Sequence, residues 1–274
     1  MKYMTFNSSC SYTGVANMLE LIGMDTSDRD IALTIKLPYL FDYSEGAYLS
    51  GPMLQTAEWF NLYLNPIGYQ LIENNVRADE LADYLKLQKT AMIGIKFEGS
   101  GKHAVVYTGM ESDLLVFLNN KWEKEKFDPE IRFTEDELKK KVESEVVVAT
   151  LQKIPPRKVN ATAKLKSSKS VLQANLAEII ELSNTQETVA DLRKKLNTLF
   201  RPLFLDGITM LNMIDEISLA QNFIELQQEL LSALRNNPSD SIFLKDYISL
   251  SRLEMSVRMY IELIEKEMSA RKDI

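Results

Sequence analysis

The chain has 274 residues, of which 45% are hydrophobic and 26% are charged, and its formal net charge is −7 at pH 7. This balance is typical of a soluble globular protein with room for one large domain or two ordinary ones. All of the charge excess lies in residues 1–155, which carry 16 basic and 23 acidic side chains. An acidic half of this kind excludes the basic surface that nucleic-acid binding requires.

The single cysteine excludes an internal disulfide, and the first residues lack the charged-then-apolar pattern of a signal peptide. The longest apolar runs are interrupted by charges well before they reach the length of a membrane span. We therefore expect a cytoplasmic protein, without a membrane or nucleic-acid partner, in which a reactive thiol stays reduced.

The first predicted element is a helix that begins near the only cysteine. Residues 7–9 are Asn-Ser-Ser, all of which favour the N-cap position, and apolar residues recur at helical spacing over 15–22. Cys10 therefore lies where the helix dipole and the free backbone N–H groups stabilise an anion, which should lower the thiol pKa. The same N–H groups could hold the oxyanion of an attacked carbonyl group. A cysteine nucleophile needs both features.

Helices precede strands in the rest of the first half. A capping box at 27–30 predicts a second helix to about residue 37, and another at 134–137 predicts a short late helix. Pro52 opens a predicted helix to about residue 63, after a loop over 38–51 that is rich in tyrosine and glycine. The other predicted elements are a helix over 78–87 and strands over 69–73, 91–97, 103–109, 114–118 and 146–152. Helices followed by a run of antiparallel strands are typical of the α+β class.

The second half shows helical apolar spacing with almost no strand signal. The predicted helices cover 171–182, 189–200, 203–234 and 241–268, with separators at 183–185, 201–202 and 236–238. We interpret this half as a helical bundle, and the change of pattern at Pro155 and Pro156 as the boundary. The sequence therefore predicts one domain over residues 1–155 and an all-helical C-terminal domain over residues 156–274.

The only histidine could supply the base that a cysteine nucleophile needs. His103 opens an apolar, β-branched strand, and the next predicted strand ends in Asn119 and Asn120. An imidazole there could accept the thiol proton of Cys10, and an amide could orient the ring through its other nitrogen. Strand alternation puts the two amides on opposite faces. A cysteine at a helix start, a histidine at a strand head and an amide ending the next strand follow the order of papain-like cysteine enzymes.

The segment around Cys10 and His103 resembles the bacteriocin-processing peptidases of ABC transporters, a papain-like group. It is also similar to the N-terminal domain of the butirosin-biosynthesis acyltransferase family, in which a cysteine takes an acyl group from a carrier protein and passes it to an amine. The resemblance covers about residues 1–153 and implies a bacterial-type, papain-like domain whose helices pack on an antiparallel sheet. The spacing from His103 to Asn119 is the one that the resemblance implies, so we favour Asn119 over Asn120 as the orienting amide.

The chain departs from the papain-like pattern at the oxyanion hole. Papain-like enzymes usually place a glutamine six residues before the cysteine, and this position is Met4 here. Asn7 is the nearest side-chain amide. We therefore expect Asn7 and the backbone N–H of Cys10 to hold the oxyanion.

The resemblance also suggests where a substrate could bind. The acyltransferase family has a glycine- and aromatic-rich loop after the cysteine helix, and residues 40–48 could correspond to it. Phe41, Tyr43 and Tyr48 are therefore candidates for a substrate pocket. The alternative is that these aromatic rings simply pack beneath a long loop.

The candidate catalytic residues could also have purely structural roles. A lone cysteine such as Cys10 is usually an inert, buried apolar residue. His103 follows the glycine-rich residues 99–102, so it could be a solvent-facing loop residue. Asn119 and Asn120 are also common turn residues, and a turn at the end of the strand would explain both.

Together these residues predict a thiol-dependent acyl-transfer enzyme, either a cysteine peptidase or amidase or an acyltransferase, with an S-acyl intermediate on Cys10. The expected partner is a small peptide-like or carrier-linked acyl substrate. No cofactor is expected, and no metal, because one cysteine and one histidine do not form a cluster with metal-ligand spacing. The alternative is a catalytically degenerate papain-like binding module whose helical domain performs the recognition. A homodimer through the helical domain is also open.

Overall fold

The computed structural model describes residues 1–97, 101–121, 128–160, 162–237 and 240–270. Contacts between Cα atoms divide the chain into two compact units. The first unit consists of Met1–Ile35 and Gln55–Val159, and the second consists of Lys36–Leu54 and Asn160–Ile274. Two predicted features, the glycine-rich residues 99–102 and the separator at 236–238, fall partly outside the described residues.

The helices of the described residues follow the chain from the cysteine onward. They are α1 (Cys10–Glu20), α2 (Asp28–Thr34), α3 (Ala57–Leu64), α4 (Leu81–Lys86), α5 (Glu135–Lys141), α6 (Thr162–Ser183), α7 (Val189–Lys194), α8 (Ile208–Met213), α9 (Ile217–Asn236) and α10 (Leu250–Ala270). Both predicted capping boxes are confirmed, since Ser27 and Thr134 accept hydrogen bonds from the backbone N–H groups three residues later. None of these helices is long and apolar enough to cross a membrane.

The strands of the described residues form three separate sheets. They are β1 (Phe41–Ser44), β2 (Ala47–Ser50), β3 (Tyr69–Arg77), β4 (Ala91–Lys96), β5 (Lys102–Glu111), β6 (Leu114–Asn119), β7 (Glu130–Phe133), β8 (Glu145–Lys153), β9 (Gln186–Thr188) and β10 (Ser241–Phe243). β1 pairs with β2, β9 pairs with β10, and the other six form one antiparallel sheet in the order β3-β8-β4-β5-β6-β7. The predicted α+β class is confirmed by this mixture of helices and antiparallel sheet.

The six-stranded sheet is the centre of the first unit. One face carries alternate apolar side chains, among them Val105, Tyr107 and Phe117, which form a core with side chains of α4 and α5. Helix α1 packs against β4 and β5, on the face that carries Met92. A Cβ atom added to Gly14 would lie 2.3 Å from Met92 Sδ, so a larger residue here would require the Met92 side chain to move.

The second unit contains the long helices α6, α9 and α10, and it also contains the hairpin of β1 and β2. The backbone N–H of Phe41 donates a hydrogen bond to Ser168 Oγ (2.9 Å), and Tyr260 Oη donates to the carbonyl oxygen of Pro38 (2.7 Å). The ring of Phe41 packs edge-on against Tyr260, with centroids 5.2 Å apart. The predicted boundary between domains 1–155 and 156–274 therefore differs from the observed units, because residues 36–54 contribute their apolar side chains to the helical core.

Several elements of the structure differ from the predicted secondary structure. The helix expected over 203–234 is divided between α8 and α9, and β7 and β9 have no counterpart among the predicted strands. The expected loop over 38–51 contains a hairpin, whose turn is made by Glu45 and Gly46 with φ values of 52° and 78°. The helix expected to begin at Pro52 begins at Ala57, because Pro52 lies in a separate 3₁₀ turn. In the second unit, the expected helix over 241–268 begins only at Leu250, since its first residues form β10.

Candidate active site

Cys10 is the first residue of α1, at the position where a thiolate would receive the greatest help from the helix. The preceding Ser9 occupies the N-cap position, but its hydroxyl makes no capping hydrogen bond. Ser9 Oγ instead donates to Asp28 Oδ2 (2.6 Å). The buried carboxylate of Asp28 also accepts hydrogen bonds from the backbone N–H and the hydroxyl of Thr5 (2.8 and 2.7 Å). Asp28 therefore anchors the loop that leads into the cysteine.

His103 is the second residue of β5, and its half-buried ring packs edge-on against Phe97 with centroids 5.7 Å apart. The pKa of His103 is lowered to about 4, chiefly by burial and then by the nearby Lys121 ammonium, while the Asn119 side chain acts in the opposite direction. The imidazole is consequently neutral at neutral pH. A neutral ring can accept a proton from a thiol.

Asn119 lies beside this histidine in the sheet. It is paired with Val105, so its side chain lies on the same sheet face as His103, which is two residues earlier in β5. Asn119 Nδ2 donates to the carbonyl oxygen of Asp128 (3.3 Å). Among the described residues, neither Asn119 Oδ1 nor His103 Nε2 has a hydrogen-bond partner, although both atoms are buried. One acceptor and one nitrogen are therefore available to each other.

Asn120 occupies a different environment, beneath the start of α1. Its Nδ2 atom donates to the carbonyl oxygens of Ala104 (3.1 Å) and Cys10 (3.4 Å), and its Oδ1 atom accepts from Asn17 Nδ2 (2.8 Å). These hydrogen bonds join α1 to β5. The choice of Asn119 over Asn120 as the orienting amide stays a prediction.

Cys10 and His103 line one cavity of about 220 Å³ in the first unit. Ser11 Oγ donates to Gln55 Oε1 (2.8 Å) on one side of this cavity. The remaining lining residues are Glu73, Met92, Ile93, Gly94, Lys102, Ala104, Val147 and Ala149. Gln55 and Glu73 also line the cavity, and neither lies in a local sequence pattern that identifies it as a site residue.

The other predicted site residues lie in varied environments. Asn7 is exposed, and no hydrogen bond of its side chain occurs within the part of the chain that the structure describes, so its oxyanion role stays a prediction. Met4 donates its backbone N–H to the carbonyl oxygen of Lys121 (3.2 Å), so Met4 is held beside the residue that follows the two asparagines. No group of three histidine, cysteine or acidic side chains within the described ranges could hold a metal ion.

The three aromatic pocket candidates belong to the second unit and not to the cavity of Cys10 and His103. Phe41 and Tyr48 are buried there, whereas Tyr43 is 53% exposed and packs its ring 4.8 Å from that of Tyr48. The assignment of these rings to the substrate pocket is therefore corrected for Phe41 and Tyr48. They fill the core of the helical unit because the hairpin turns its apolar side chains toward α6 and α10.

The similarity of this chain to known proteins is low. No family model matches the chain, and no curated protein matches it at a significant level. Among solved structures, the chain is similar to the peptidase domain of Streptococcus ComA, a bi-functional ABC transporter involved in a quorum-sensing pathway. The likeness covers 56% of this chain and 96% of that one, at 13% sequence identity and a TM-score of 0.37. A likeness of this size assigns neither fold nor activity, so the function is inferred from the geometry of the site.

Proposed function

We propose that the first unit is a papain-like cysteine enzyme that transfers an acyl group through Cys10. The observation that carries this proposal is the cavity shared by Cys10 and His103. Each residue type occurs once in 274 residues, and the two residues are far apart in the chain. A nucleophile and a base that reach one cavity are the minimum that thiol catalysis requires.

The first step is attack on an amide or thioester carbonyl. His103 Nδ1 accepts the proton of the Cys10 thiol, and the sulfur forms a bond to the carbonyl carbon while the C=O π electrons move to oxygen. The oxyanion is held by the backbone N–H of Cys10, and by Asn7 if its side chain turns toward the site. Collapse of this intermediate expels the amine or thiol, which takes the proton back from the imidazolium ring. The product is an S-acyl enzyme.

The second step decides between two classes of enzyme. Attack by water on the S-acyl group makes the protein a peptidase or amidase, whereas attack by an amine makes it an acyltransferase. In both cases His103 takes a proton from the attacking group and returns it to the sulfur of Cys10. We propose a small peptide-like or carrier-linked acyl group as the substrate, since the cavity of about 220 Å³ is small.

We propose that Asn119 orients the imidazole for both steps. A hydrogen bond from His103 Nε2–H to Asn119 Oδ1 would fix the tautomer whose Nδ1 accepts protons. Two observations support this role: both atoms are buried without another partner in the described chain, and Asn119 Nδ2 is already bound to Asp128. In the present structure, His103 Nε2 makes no hydrogen bond to any described residue, the Cys10 sulfur included.

Intact-mass spectrometry of the protein with a small acyl thioester tests the proposal. We expect a single acyl adduct that neutral hydroxylamine removes, because hydroxylamine cleaves thioesters. The adduct should be absent from Cys10→Ala and should form at least tenfold more slowly in His103→Ala. Incubation of the adduct in buffer alone, or in buffer with an added amine, would show whether water or the amine cleaves the S-acyl bond. If neither thioesters nor activated amides acylate Cys10, or if His103→Ala reacts as fast as the unaltered protein, the binding-module alternative is favoured.

A further inference from the structure

We propose that the cavity beside Cys10 and His103 selects substrates whose acyl part carries a cationic side chain, and that Glu73 recognises this cation. The inference rests on the proposed function, because the cavity is a substrate site only if Cys10 is the nucleophile. It goes further by naming the chemistry of the substrate and a residue that determines specificity.

The register of the sheet places Glu73 within the cavity wall. Glu73 on β3 is paired with Ala149 on β8, and Ala149 is also paired with Met92 on β4. Directly paired residues share a face, so these three side chains and Val147, two residues from Ala149, lie on the face of the sheet that packs against α1. All four residues line the cavity.

Part of the cavity lining is apolar and accessible to a ligand. Val147 is 52% exposed, although it lies within a strand whose neighbouring residues Val146 and Val148 are buried. Met92 and Ala149 continue the apolar surface. A strip of methyl and methylene groups of this kind suits the aliphatic stem of arginine or lysine, which packs on apolar surface while its charged head stays in a polar environment.

The carboxylate of Glu73 is the acidic group of the cavity lining. Lys102, the cationic residue of the lining, and Lys96 both form ion pairs with Glu143. Glu73 is exposed and forms no ion pair within the described ranges of the chain. The net charge of −7 in residues 1–155 also favours a cationic ligand. A guanidinium or ammonium group would therefore pair with Glu73 at the end of the apolar strip.

The test uses peptidyl acyloxymethyl ketones, which alkylate a nucleophilic cysteine with loss of the acyloxy group. One reagent carries arginine beside the ketone or one residue before it, and the matched reagent carries citrulline, which has nearly the same shape without the charge. The rate of Cys10 modification is followed by intact mass. We expect the arginine reagent to react about fivefold faster than the citrulline reagent, the ratio typical of an exposed ion pair.

Glu73→Gln should abolish this preference, and Glu145→Gln should retain it. Glu145 is a matched control because it is an exposed carboxylate of the same sheet that does not line the cavity. The preference should also decrease at high salt, because an exposed charge pair is screened. Equal rates for the two reagents in the unaltered protein, or a preference that survives Glu73→Gln, would overturn the assignment of Glu73.

Acylation by the small thioester separates failure of this inference from failure of the proposed function. If the thioester acylates Cys10 in a His103-dependent manner while arginine and citrulline reagents react equally, the enzyme proposal stands and the cation preference is wrong. If Cys10 is inert to both the thioester and the ketones, both proposals are wrong.

Discussion

The side-chain amide of Asn120 lies 3.4 Å from the carbonyl oxygen of Cys10, and the same Nδ2 atom lies 3.1 Å from the carbonyl oxygen of Ala104. One buried side chain thus bridges the first turn of α1 and the residue that follows His103. The bridge is fixed in turn by Asn17. The relative positions of the cysteine and the histidine therefore depend on Asn120, although this residue touches neither reactive side chain.

We expect Asn120 to contribute mainly to stability and Asn119 mainly to activity. Asn120→Ala removes three hydrogen bonds of a buried side chain, those to Asn17, Ala104 and Cys10, so it should lower the free energy of unfolding by about 1–3 kcal/mol. Asn119→Ala should leave the melting temperature nearly unchanged but slow acylation of Cys10 about tenfold, because it removes the group that orients the ring. Thermal unfolding and thioester acylation of both variants measure the contrast. An unchanged melting temperature for Asn120→Ala would contradict the bridging role.

Proton NMR can measure the pKa of His103 without assignment of the spectrum, since the chain contains one histidine. We expect the imidazole Cε1 proton of the untagged protein to titrate with a midpoint of about 4, because burial and Lys121 both disfavour the imidazolium. A midpoint at the ordinary value of about 6.5 would show that the ring is solvated.

The same pKa shift predicts how stability depends on pH. Between about pH 6.5 and pH 4 the unfolded chain binds a proton on His103 that the folded chain does not bind, so acidification through this window favours unfolding. The contribution should be complete above pH 6.5 and should fall by at most about 3 kcal/mol toward pH 4. Chemical denaturation at several pH values, compared with His103→Gln, isolates this contribution from that of the carboxylates. Parallel curves for the two proteins would contradict it.

Alkylation of Cys10 tests whether the two reactive side chains act together. At neutral pH, iodoacetamide should modify the single thiol of the unaltered protein about tenfold or more faster than that of His103→Ala, because the neutral imidazole that accepts the thiol proton is lost. Glu111→Ala, at the exposed far end of the same strand, is the control and should react as the unaltered protein does. Slow alkylation of the unaltered protein, or equal rates for His103→Ala, would show that the residues are not partners.

We expect the hydrogen bonds of Asp28 to stabilise the loop that precedes Cys10. Asp28→Ala removes the acceptor used by Thr5 and Ser9 and leaves several buried donors unpaired, which should destabilise the protein by about 2–4 kcal/mol. Asp30→Ala is the matched control: its exposed carboxylate belongs to the capping box of the same helix, and its loss should cost about 1 kcal/mol. Chemical denaturation measures both losses. Equal losses would show that Asp28 acts only as a helix cap.

Limited proteolysis should cut the chain between residues 153 and 168 without separating the products. Arg157 and Lys158 are exposed and lie outside helices and strands, so trypsin should cut there first. The two products should then stay together, because residues 36–54 of the first product belong to the core of the second unit. Size-exclusion chromatography after digestion measures this. A folded fragment 156–274 that elutes alone would contradict the observed division.

Local patterns were sufficient to predict many of the helices and strands. The capping boxes at Ser27 and Thr134 and the strand that begins near His103 depend on neighbours in sequence, and the structure contains all of them. Gln55 and Glu73 were missed because they reach the cavity only through packing and strand register. Turn residues do not reveal which core the apolar side chains of a hairpin will join, so the sequence predicts a loop where the structure has the hairpin of residues 41–50.

The division of the chain affects how the protein folds while it is being synthesised. Residues 36–54 leave the ribosome more than 100 residues before α6, their main partner, begins. During that interval the apolar side chains of Phe41 and Tyr48 have no native core to enter. The nascent chain therefore exposes the apolar side chains of this hairpin while the first unit is being made. Binding of a chaperone to the hairpin would prevent aggregation until Ser168 and Tyr260 emerge from the ribosome.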